Sequence, residues 1–291
     1  MIFPKISIIT PSYNQGKFIE RTIKSVLDQN YPNLEYFVID GGSTDETIDI
    51  LKKYEDRLTW ISEPDRGQAH AINKGLKMSG GDVLAYLNSD DTYEANTFKI
   101  VSKYFLKHPK ASFLYGEGRL INKNDEEIDF YQTKKAEGDE LQRHCPISQP
   151  SAFWKKDVYK KIGKFDEDFQ FTMDYEYWIR VSKYFKLSYL KDLVLSNTRI
   201  HQDAKTSAFN SKLHLEAIKT VKKHYKKVHY DWIFNYINSL YSFKKNTIFY
   251  YLSLIIGSFF LNLFWNKKLP NKIMVKQYVN WLKEYINHEK K

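Results

Sequence analysis

Two adjacent carboxylates, Asp90 and Asp91, follow an apolar run in the stretch LAYLNSDDTY. Like charges this close repel and raise each other's pKa unless something positive neutralises them. One interpretation is a metal–diphosphate site, because Mg²⁺ and Mn²⁺ are commonly held by one or two carboxylates together with substrate phosphates. The other is a capping box in DTYE, with Asp91 as the N-cap of a following helix. The pair alone leaves both interpretations open.

Three further apolar runs also end in side chains that could bind a ligand. After KISIIT, Tyr13 in TPSYN could present its ring to a base, or could simply pack at a rim. After LEYFVID, Asp40 in DGGSTD could accept from an imide N–H or a ribose hydroxyl, and two glycines permit close approach. After LTWIS, Asp65 and Arg66 precede a helix, where a guanidinium suits a phosphate or a carboxylate.

The elements that position these residues alternate between strands and helices. The runs KISIIT, LEYFVID, LTWIS and DVLAYL read as buried strands, and GKFIERTIKSVLDQ, DETIDILKKY and RGQAHAINKGLKMS as helices between them. This order predicts an α/β fold with a doubly wound, mostly parallel sheet. Ligands bind such sheets beyond the carboxyl ends of the strands, so the four groups of residues should converge there. No G-x-G-x-x-G opens a helix, which argues against a dinucleotide enzyme.

The next part of the chain predicts a smaller antiparallel element and more helices. ASFLYGEGRLINKNDEEIDFYQT alternates as a β-hairpin, and the polar KKAEGDELQRHCP reads as a loop. SAFWKKDVYKKIGKF predicts a strand and a helix that Gly163 closes. MDYEYWIRVSKYF predicts an amphipathic helix, and LSYLKDLVLSNTRIH returns as a strand.

Taken together, these segments resemble the family 2 glycosyltransferases of the bacterial surface-polysaccharide type. The resemblance is carried by ISIITPSYNQGKFIERTIKSVLDQNYPNLEYFVIDGGSTDETIDIL, SEPDRGQAHAINKG, YLNSDD, QPSAFWKKDVYKKIGKFDE and MDYEYWIRV, and it covers roughly residues 4–205. It implies the GT-A fold and inverting transfer of a sugar from a nucleotide-diphosphate sugar. The motifs do not specify which sugar is transferred.

The resemblance also implies a nucleotide site. Pro11 and Tyr13 line the base pocket, Asp40 contacts the base (usually uracil), and Asp65 and Arg66 lie beside the nucleotide. The donor would therefore be a nucleotide sugar, and a UDP-sugar is the expectation.

The resemblance further implies the catalytic and metal residues. Asp90 meets the ribose or the donor sugar, and Asp91 holds Mn²⁺ or Mg²⁺. Asp174 takes the place of the general base, with Glu176 as a fallback, and His201 matches a late histidine near the diphosphate that is a candidate metal ligand. This assignment agrees with the chemistry, since inversion needs a base for the acceptor hydroxyl and a cation for the leaving diphosphate.

One position departs from the family pattern. His70 in GQAHAINKG stands where relatives commonly carry Asp, which removes a carboxylate from the donor rim. The departure leaves the donor sugar open.

Charge divides the chain of 291 residues into two parts, although its composition is that of an ordinary globular protein. Residues 201–291 contain 16 Lys and five acidic residues, whereas residues 1–200 contain 29 basic and 30 acidic ones, so the net charge of +10 resides in the last third. We therefore expect a glycosyltransferase domain over residues 1–208 and a basic, aromatic helical tail over 209–291.

The tail contains 19 consecutive uncharged residues, TIFYYLSLIIGSFFLNLFW, at positions 247–265. The stretch reaches the length of a transmembrane candidate but includes Ser, Asn and Gly. An interfacial or re-entrant helix, a helix packed beneath the domain and a full span all remain open.

The sequence also predicts a compartment and partners. The single cysteine, Cys145, excludes an internal disulfide, and the first ten residues lack the pattern of a signal peptide. We expect a cytoplasmic enzyme bound peripherally to the inner face of the cell membrane through its tail. There it would act on a glycan or lipid-linked glycan acceptor in polysaccharide synthesis.

Two other functions compete with this one. A sugar-phosphate nucleotidyltransferase would also bind nucleotide and metal, but PSYNQGK lacks the Gly-rich basic loop that a triphosphate needs. A non-enzymatic nucleic-acid binder would use the basic tail, yet no recognised nucleic-acid motif accompanies the charge.

Overall fold

The computed structural model describes residues 3–202, 204, 210–240 and 247–289. The chain divides into two compact units. The first, called here the sheet unit, comprises residues 1–137 and 145–204, and the second, the helical unit, comprises residues 138–144 and 205–291. The domain boundary expected after residue 208 lies outside the described residues and stays a prediction.

The first half of the sheet unit is built from strand–helix repeats. Its elements are β1 (Ile6–Ser12), α1 (Gly16–Leu27), β2 (Leu34–Asp40), α2 (Thr47–Lys52), β3 (Thr59–Ser62), α3 (Gln68–Met78) and β4 (Val83–Tyr86). β1 pairs in parallel with β2 and β4, and β2 pairs in parallel with β3. Apolar side chains of β1, such as Ile6 and Ile8, pack with Ile19, Ile23 and Val26 of α1 in one buried core. Burial of these faces holds the strand ends at a common edge.

The second half of the sheet unit continues the sheet with antiparallel pairings. Its elements are β5 (Thr92–Tyr93), α4 (Thr97–Lys107), β6 (Phe113–Ile121), β7 (Glu127–Phe130), β8 (Ala152–Lys155), α6 (Lys156–Ile162), α7 (Met173–Ser182) and β9 (Leu187–Arg199). The strand order is β3-β2-β1-β4-β8-β6-β9-β5, with β7 on β6. β8 is antiparallel to both β4 and β6, and β9 is parallel to β6. The predicted α/β class with a mostly parallel sheet and a small antiparallel element is confirmed.

The structure corrects three local expectations. The capping box is wrong, because Thr92 and Tyr93 form β5 against β9 and the following helix begins at Thr97 with Asn96 as its N-cap. Strand β1 does not stop at Pro11 but runs to Ser12. The polar loop expected after the hairpin contains a short helix, α5 (Glu140–Arg143).

The helical unit contains, besides α5, four helices in the described part of the tail: α8 (Asn210–Tyr225), α9 (Tyr230–Leu240), α10 (Ile248–Asn266) and α11 (Lys272–Glu289). Arg143 of α5 contacts Asp231 of α9 with a distance of 3.2 Å between Nε and Oδ2. Helix α10 is, among the described residues, the one helix long and apolar enough to cross a membrane, with a mean hydropathy of 1.7. Only 22% of its apolar window is buried, so α10 is not a core helix of this unit.

Candidate active site

The loops that follow β1 and β2 are tied into one structure. The backbone N–H of Asn14 donates to Ser43 Oγ at 2.7 Å, and the N–H of Thr44 donates to Asn14 Oδ1 at 2.9 Å. Asn14 adopts a left-handed backbone with φ of 51°, which Asn tolerates better than most residues. These bonds fix the position of the adjacent Tyr13, whose side chain is 61% exposed.

Asp40 organises the second of these loops. Its Oδ2 accepts from the N–H groups of Gly42 and Ser43 at 3.0 and 2.8 Å and from Ser62 Oγ at 2.7 Å, and its Oδ1 accepts from Ser43 Oγ. The residue is fully buried. A carboxylate that accepts several hydrogen bonds is held firmly in one orientation. The structure therefore places Asp40 beneath the loop, as the group that fixes its shape.

Tyr13, Gly41 and Asp65 together form a narrow opening, called here the nucleotide slot. A Cβ at Gly41 would lie 2.9 Å from Asp65 Oδ2 and 3.4 Å from Tyr13 Cδ2, so only glycine leaves this space free. Asp65 is half-buried, and its Oδ1 accepts from the N–H of Gly67 at 2.7 Å. An aromatic ring facing a glycine beside a carboxylate suits a flat base with N–H donors. Pro11 lies in the buried strand beneath the slot, opposite Ile39.

Arg66 follows the slot but turns towards α3 and the loop before α7. Its Nη2 lies 2.6 Å from Glu167 Oε2, and its side chain is 68% exposed. The guanidinium beside Glu167 lowers the pKa of that carboxyl to about 2. His70, at the position that departs from the family pattern, lies in the first turn of α3 and accepts from the N–H of Arg66 at 3.3 Å. Arg66 therefore follows the nucleotide slot in the chain, while its guanidinium forms an ion pair with Glu167.

The two adjacent carboxylates have different surroundings. Asp91 is buried; its Oδ1 accepts from the N–H of Arg199 at 2.9 Å, and its Oδ2 accepts from Asn88 Nδ2 at 3.0 Å. Burial, and then the neighbouring Asp90, raises the pKa of Asp91 well above its usual range. The carboxylate of Asp90 instead lies beside His201, with 3.0 Å between Oδ2 and Nε2. Each oxygen of Asp91 therefore already accepts one hydrogen bond from inside the protein, and the expectation that Asp91 holds the metal stays a prediction.

Asp90 and His201 fit a divalent cation better. The imidazole is 7% exposed, its ring lies 4.7 Å from the ring of Phe18, and its Nδ1 is buried without a hydrogen-bond partner among the described residues. One carboxylate oxygen and one imidazole nitrogen at the same point are ligands that Mn²⁺ accepts, and substrate phosphates commonly complete such sites. Among the residues that the structure describes, no group of three or more His, Cys, Asp or Glu side chains could hold a metal. The pair would therefore depend on the diphosphate for further ligands.

Arg199 holds this part of the site together, and no motif in the sequence indicated this role. Its side chain is fully buried, and it donates from Nε to the carbonyl of Asp90 at 2.8 Å and from Nη1 to the carbonyl of Asn122 at 2.9 Å. Its Nη2 pairs with Asp125, and the guanidinium lies over the ring of Phe18 at 5.1 Å. Arg199 and His201 both belong to the end of β9, so one segment fixes the backbone of Asp90 and supplies its partner.

Asn88 is a second residue that sequence reasoning missed. Its Oδ1 accepts from Gln68 Nε2, and its Nδ2 also lies 3.2 Å from Gln149 Oε1. Gln149 in turn donates to the carbonyl of Tyr86 at 2.9 Å. The polar residue directly after β4 was visible in YLNSDD, but its partners lie 20 and 61 positions away in the sequence and could not be read from it.

Asp174 lies in the first turn of α7 and is half-buried. After burial, the charge of Asp174 is the next cause that raises the pKa of Tyr86, the last residue of β4. Glu176 is 1% exposed and paired with Arg180, whose Nε lies 3.0 and 2.9 Å from its two oxygens. Both oxygens of Glu176 therefore face Arg180, and the assignment of Asp174 as the base stays a prediction.

The sheet and its polar edge define a protein of the nucleotide-sugar transferase class with the GT-A fold. The chain belongs to Glycosyl transferase family 2, because the model of that family matches residues 7–163. This assignment confirms the resemblance and the enzyme class that the sequence predicted. Neither competing function, the nucleotidyltransferase or the nucleic-acid binder, gains support.

Two relatives illustrate the similarity. The chain is 31% identical over 205 residues to the Escherichia coli UDP-Glc:alpha-D-GlcNAc-diphosphoundecaprenol beta-1,3-glucosyltransferase WfgD, covering 69% of this chain and 79% of that protein. It is 30% identical over 219 residues to an uncharacterised glycosyltransferase of Rickettsia typhi. That alignment covers 70% of this chain and 66% of the relative, so the chain spans slightly less than two thirds of its length.

Two solved structures share the fold. Residues 1–349 of Staphylococcus aureus TarS, in complex with UDP-GlcNAc, match with a TM-score of 0.61 at 18% identity, covering 87% of this chain and 79% of that one. The mannosyltransferase PcManGT from Pyrobaculum calidifontis, in complex with GDP-Man and Mn²⁺, matches with a TM-score of 0.61 at 16% identity, covering 98% and 85%.

Proposed function

We propose that this chain transfers a sugar from a nucleotide-diphosphate sugar, with UDP as the expected nucleotide, to an acceptor hydroxyl with inversion. The observation that carries the proposal is the arrangement at the carboxyl edge of the sheet. The nucleotide slot follows β1, β2 and β3, the Asp90–His201 pair lies after β4 and β9, and the charge of Asp174 acts on Tyr86, the last residue of β4. Tyr13 and Asp65 would receive the base, while Asp40 fixes the loop between them.

In this proposal Asp90 and His201 hold the metal, and Asp91 supports them from the interior. This exchanges the roles expected from the sequence for the two carboxylates. A bound Mn²⁺ or Mg²⁺ would neutralise the charge that develops on the leaving diphosphate. Mn²⁺ suits the set better, since imidazole nitrogen is a poorer ligand for Mg²⁺. The Mn²⁺ complex of PcManGT supports this choice.

Asp174 would act as the general base. The acceptor hydroxyl gives its proton to the Asp174 carboxylate while its oxygen bonds to the anomeric carbon, and the bond from that carbon to the diphosphate breaks. Attack from the face opposite the leaving group inverts the anomeric centre. Glu176 is not available for this step, because Arg180 holds both of its oxygens.

The acceptor in this proposal is a lipid-linked glycan, and the setting is synthesis of a surface polysaccharide. WfgD is named for transfer to a GlcNAc-diphosphoundecaprenol acceptor, and that name supports the proposal. The basic tail of the chain would keep the protein at the cytoplasmic face of the membrane, where such an acceptor is embedded. The donor sugar stays open, since His70 alters the donor rim.

The test is turnover of Asp174→Asn with a panel of nucleotide sugars, with and without Mn²⁺. We expect a loss of transfer of about a hundredfold to ten-thousandfold, the usual contribution of a general base, with nucleotide affinity nearly unchanged. The matched control is Asp157→Asn, an acid-to-amide change on α6 at a side chain that is 76% exposed. Unchanged turnover of Asp174→Asn would remove Asp174 from the base role, and failure of every nucleotide sugar to bind would remove the proposed function.

A further inference from the structure

Helix α10 differs from a soluble surface helix, because it buries polar as well as apolar side chains and exposes apolar ones. A soluble surface helix normally buries an apolar stripe and exposes polar residues. In α10 the fully or nearly buried positions include Ser258 and Asn262, whereas the most exposed side chains are Phe249, Phe260 and Phe264.

The inward stripe is held by specific hydrogen bonds. Ser258 Oγ donates to Tyr278 Oη of α11 at 2.9 Å, and Asn262 Nδ2 donates to the carbonyl of Lys268 at 2.7 Å. Asn266 donates to the carbonyl of Val228 at 2.9 Å and accepts from its N–H at 2.8 Å. These bonds fix the rotation of α10 about its own axis, because turning it would leave each of these polar groups without its partner.

The outward stripe is apolar along the whole helix. It occupies about 120° of the helix circumference at 100° per residue. Its six members, called here the α10 face, are 39–71% exposed: Phe249, Leu252, Ile256, Phe260, Leu263 and Phe264. Ser253, at the edge of the face, donates its hydroxyl to the carbonyl of Tyr250 and so presents no unpaired donor.

Lysines and further apolar residues continue from the end of the α10 face. Lys267, Lys268, Lys272 and Lys276 are all exposed. Leu269, which lies among them, is 71% exposed. Aliphatic side chains placed between lysines at the end of an apolar helix face suit the boundary between acyl chains and anionic headgroups. The 16 Lys and five acidic residues after position 200 make this part of the chain strongly positive.

Two other ways of covering the face fit less well. In a symmetric pair of copies the same patch would meet itself, so the lysines beside it would face one another and repel. In a transmembrane span, Ser258 and Asn266 would be taken from their partners, Tyr278 of α11 and Val228 between α8 and α9. That exchange would leave hydrogen-bonding groups in hydrocarbon, which is costly.

We propose that the α10 face is a lipid-contact surface on which α10 lies in the plane of an anionic bilayer, with Lys267 and Lys268 at the headgroups. The proposal deepens the membrane association in the proposed function and rests on it for its biological purpose. It names the residues that enter the bilayer and excludes a span. Its vesicle-binding measurement requires neither a donor nor an acceptor.

The experiment is co-sedimentation of the full chain with vesicles of equal parts phosphatidylcholine and phosphatidylglycerol, and with vesicles of phosphatidylcholine alone. Phe260→Glu should lower the bound fraction about tenfold or more, since it replaces a buried aromatic ring in the bilayer with a charge. Lys267→Glu with Lys268→Glu should abolish the preference for the anionic vesicles. The matched control is Leu106→Glu, because Leu106 of α4 is 45% exposed but lies in the sheet unit.

Circular dichroism and hydrolysis of nucleotide sugar separate this proposal from its alternatives. We expect both to be unchanged in Phe260→Glu; if that variant unfolds, Phe260→Ser serves in its place. Binding of the folded variant equal to that of the wild type would overturn the proposal. So would a wild-type dimer in sedimentation velocity that the substitution converts to monomer without loss of vesicle binding. Resistance of the wild type to alkaline extraction from cell membranes would indicate a span and would also overturn it. If the wild type hydrolyses none of the nucleotide sugars, that result would count against the proposed function and not against the lipid-contact surface.

Discussion

The edge of the sheet unit and helix α10 both bury polar side chains, but α10 also exposes its apolar ones. At the sheet edge, Asp40, Asp91 and Arg199 lie in the interior with their polar atoms engaged in hydrogen bonds. On α10, the polar Asn262 is buried and the apolar Phe260 is exposed. Polar residues are normally left at the surface, and removing them from water is favourable only if their hydrogen bonds are made. Both regions therefore place polar groups inside for a positional reason, the first to hold a reacting site and the second to present an apolar face.

The largest expected effect separates the two adjacent carboxylates. Asp90→Asn should reduce transfer about a hundredfold to a thousandfold and weaken Mn²⁺ binding, because its oxygen is the one that faces His201. Asp91→Asn should instead keep the Mn²⁺ requirement and lower the free energy of unfolding by about 1–3 kcal/mol, the cost of unsatisfied buried groups. Steady-state kinetics against Mn²⁺ and denaturant unfolding measure the two effects. If Asp91→Asn loses Mn²⁺ binding and Asp90→Asn does not, the roles are those first expected from the sequence.

A smaller effect is expected on the free energy of unfolding when the buried guanidinium of Arg199 is removed. Arg199→Met should lower the free energy of unfolding by about 2–3 kcal/mol, because the carbonyls of Asp90 and Asn122 lose their donor. Mn²⁺ affinity of the folded protein should fall as well, since Asp90 is no longer fixed. The control is Arg119→Met, where a side chain 31% exposed pairs with Glu94 and Glu127, and where a loss below about 1 kcal/mol is expected. Equal losses in the two variants would show that Arg199 has no special role.

The smallest expected effect tests which side of α10 is buried in solution. Asn262→Ala should lower the free energy of unfolding by about 1–2 kcal/mol, since the buried Asn262 side chain no longer donates to the carbonyl of Lys268. Phe260→Ser, on the outward side, should change it by no more than about 0.5 kcal/mol in the absence of lipid. Thermal unfolding of the two variants in detergent-free buffer gives the comparison. A larger loss for Phe260→Ser would mean that α10 is buried through its apolar face in solution.

The sequence predicted the repeating elements well and the local ends of strands less well. The strands β1 to β4 and the helices between them have a regular spacing of apolar residues, and this spacing within each segment predicts its secondary structure. Strand β5 has only two residues, and it exists because Thr92 and Tyr93 pair with Asn197 and Ser196, about a hundred positions later. Without that partner DTYE satisfies the pattern of a helix cap, which is why the capping box was expected.

The candidate site was predictable in its location and less so in its internal roles. Strand order alone brings Tyr13, Asp40, Asp65 and Asp90 to one edge, since parallel strands end together. Which of two neighbouring aspartates turns inward depends on the N–H of Arg199, 108 positions away. The orientation of residues 247–265 depends similarly on hydrogen bonds to Tyr278 and Val228. The composition of residues 247–265 shows how apolar the helix is, but it does not show which side of the helix packs against its neighbours.

The pairing of β5 with β9 has a consequence for the order in which the site is made. Tyr13, Gly41 and Asp65 lie within the first 65 residues, so the nucleotide slot can form as soon as the first three strands associate. Asp90 and His201 are separated by 111 positions in the sequence, so they meet only after β9 has been synthesised and has added to the sheet. Contacts of such long separation form late in folding. In a growing chain, the residues of the nucleotide slot would therefore come together before the Asp90–His201 pair does.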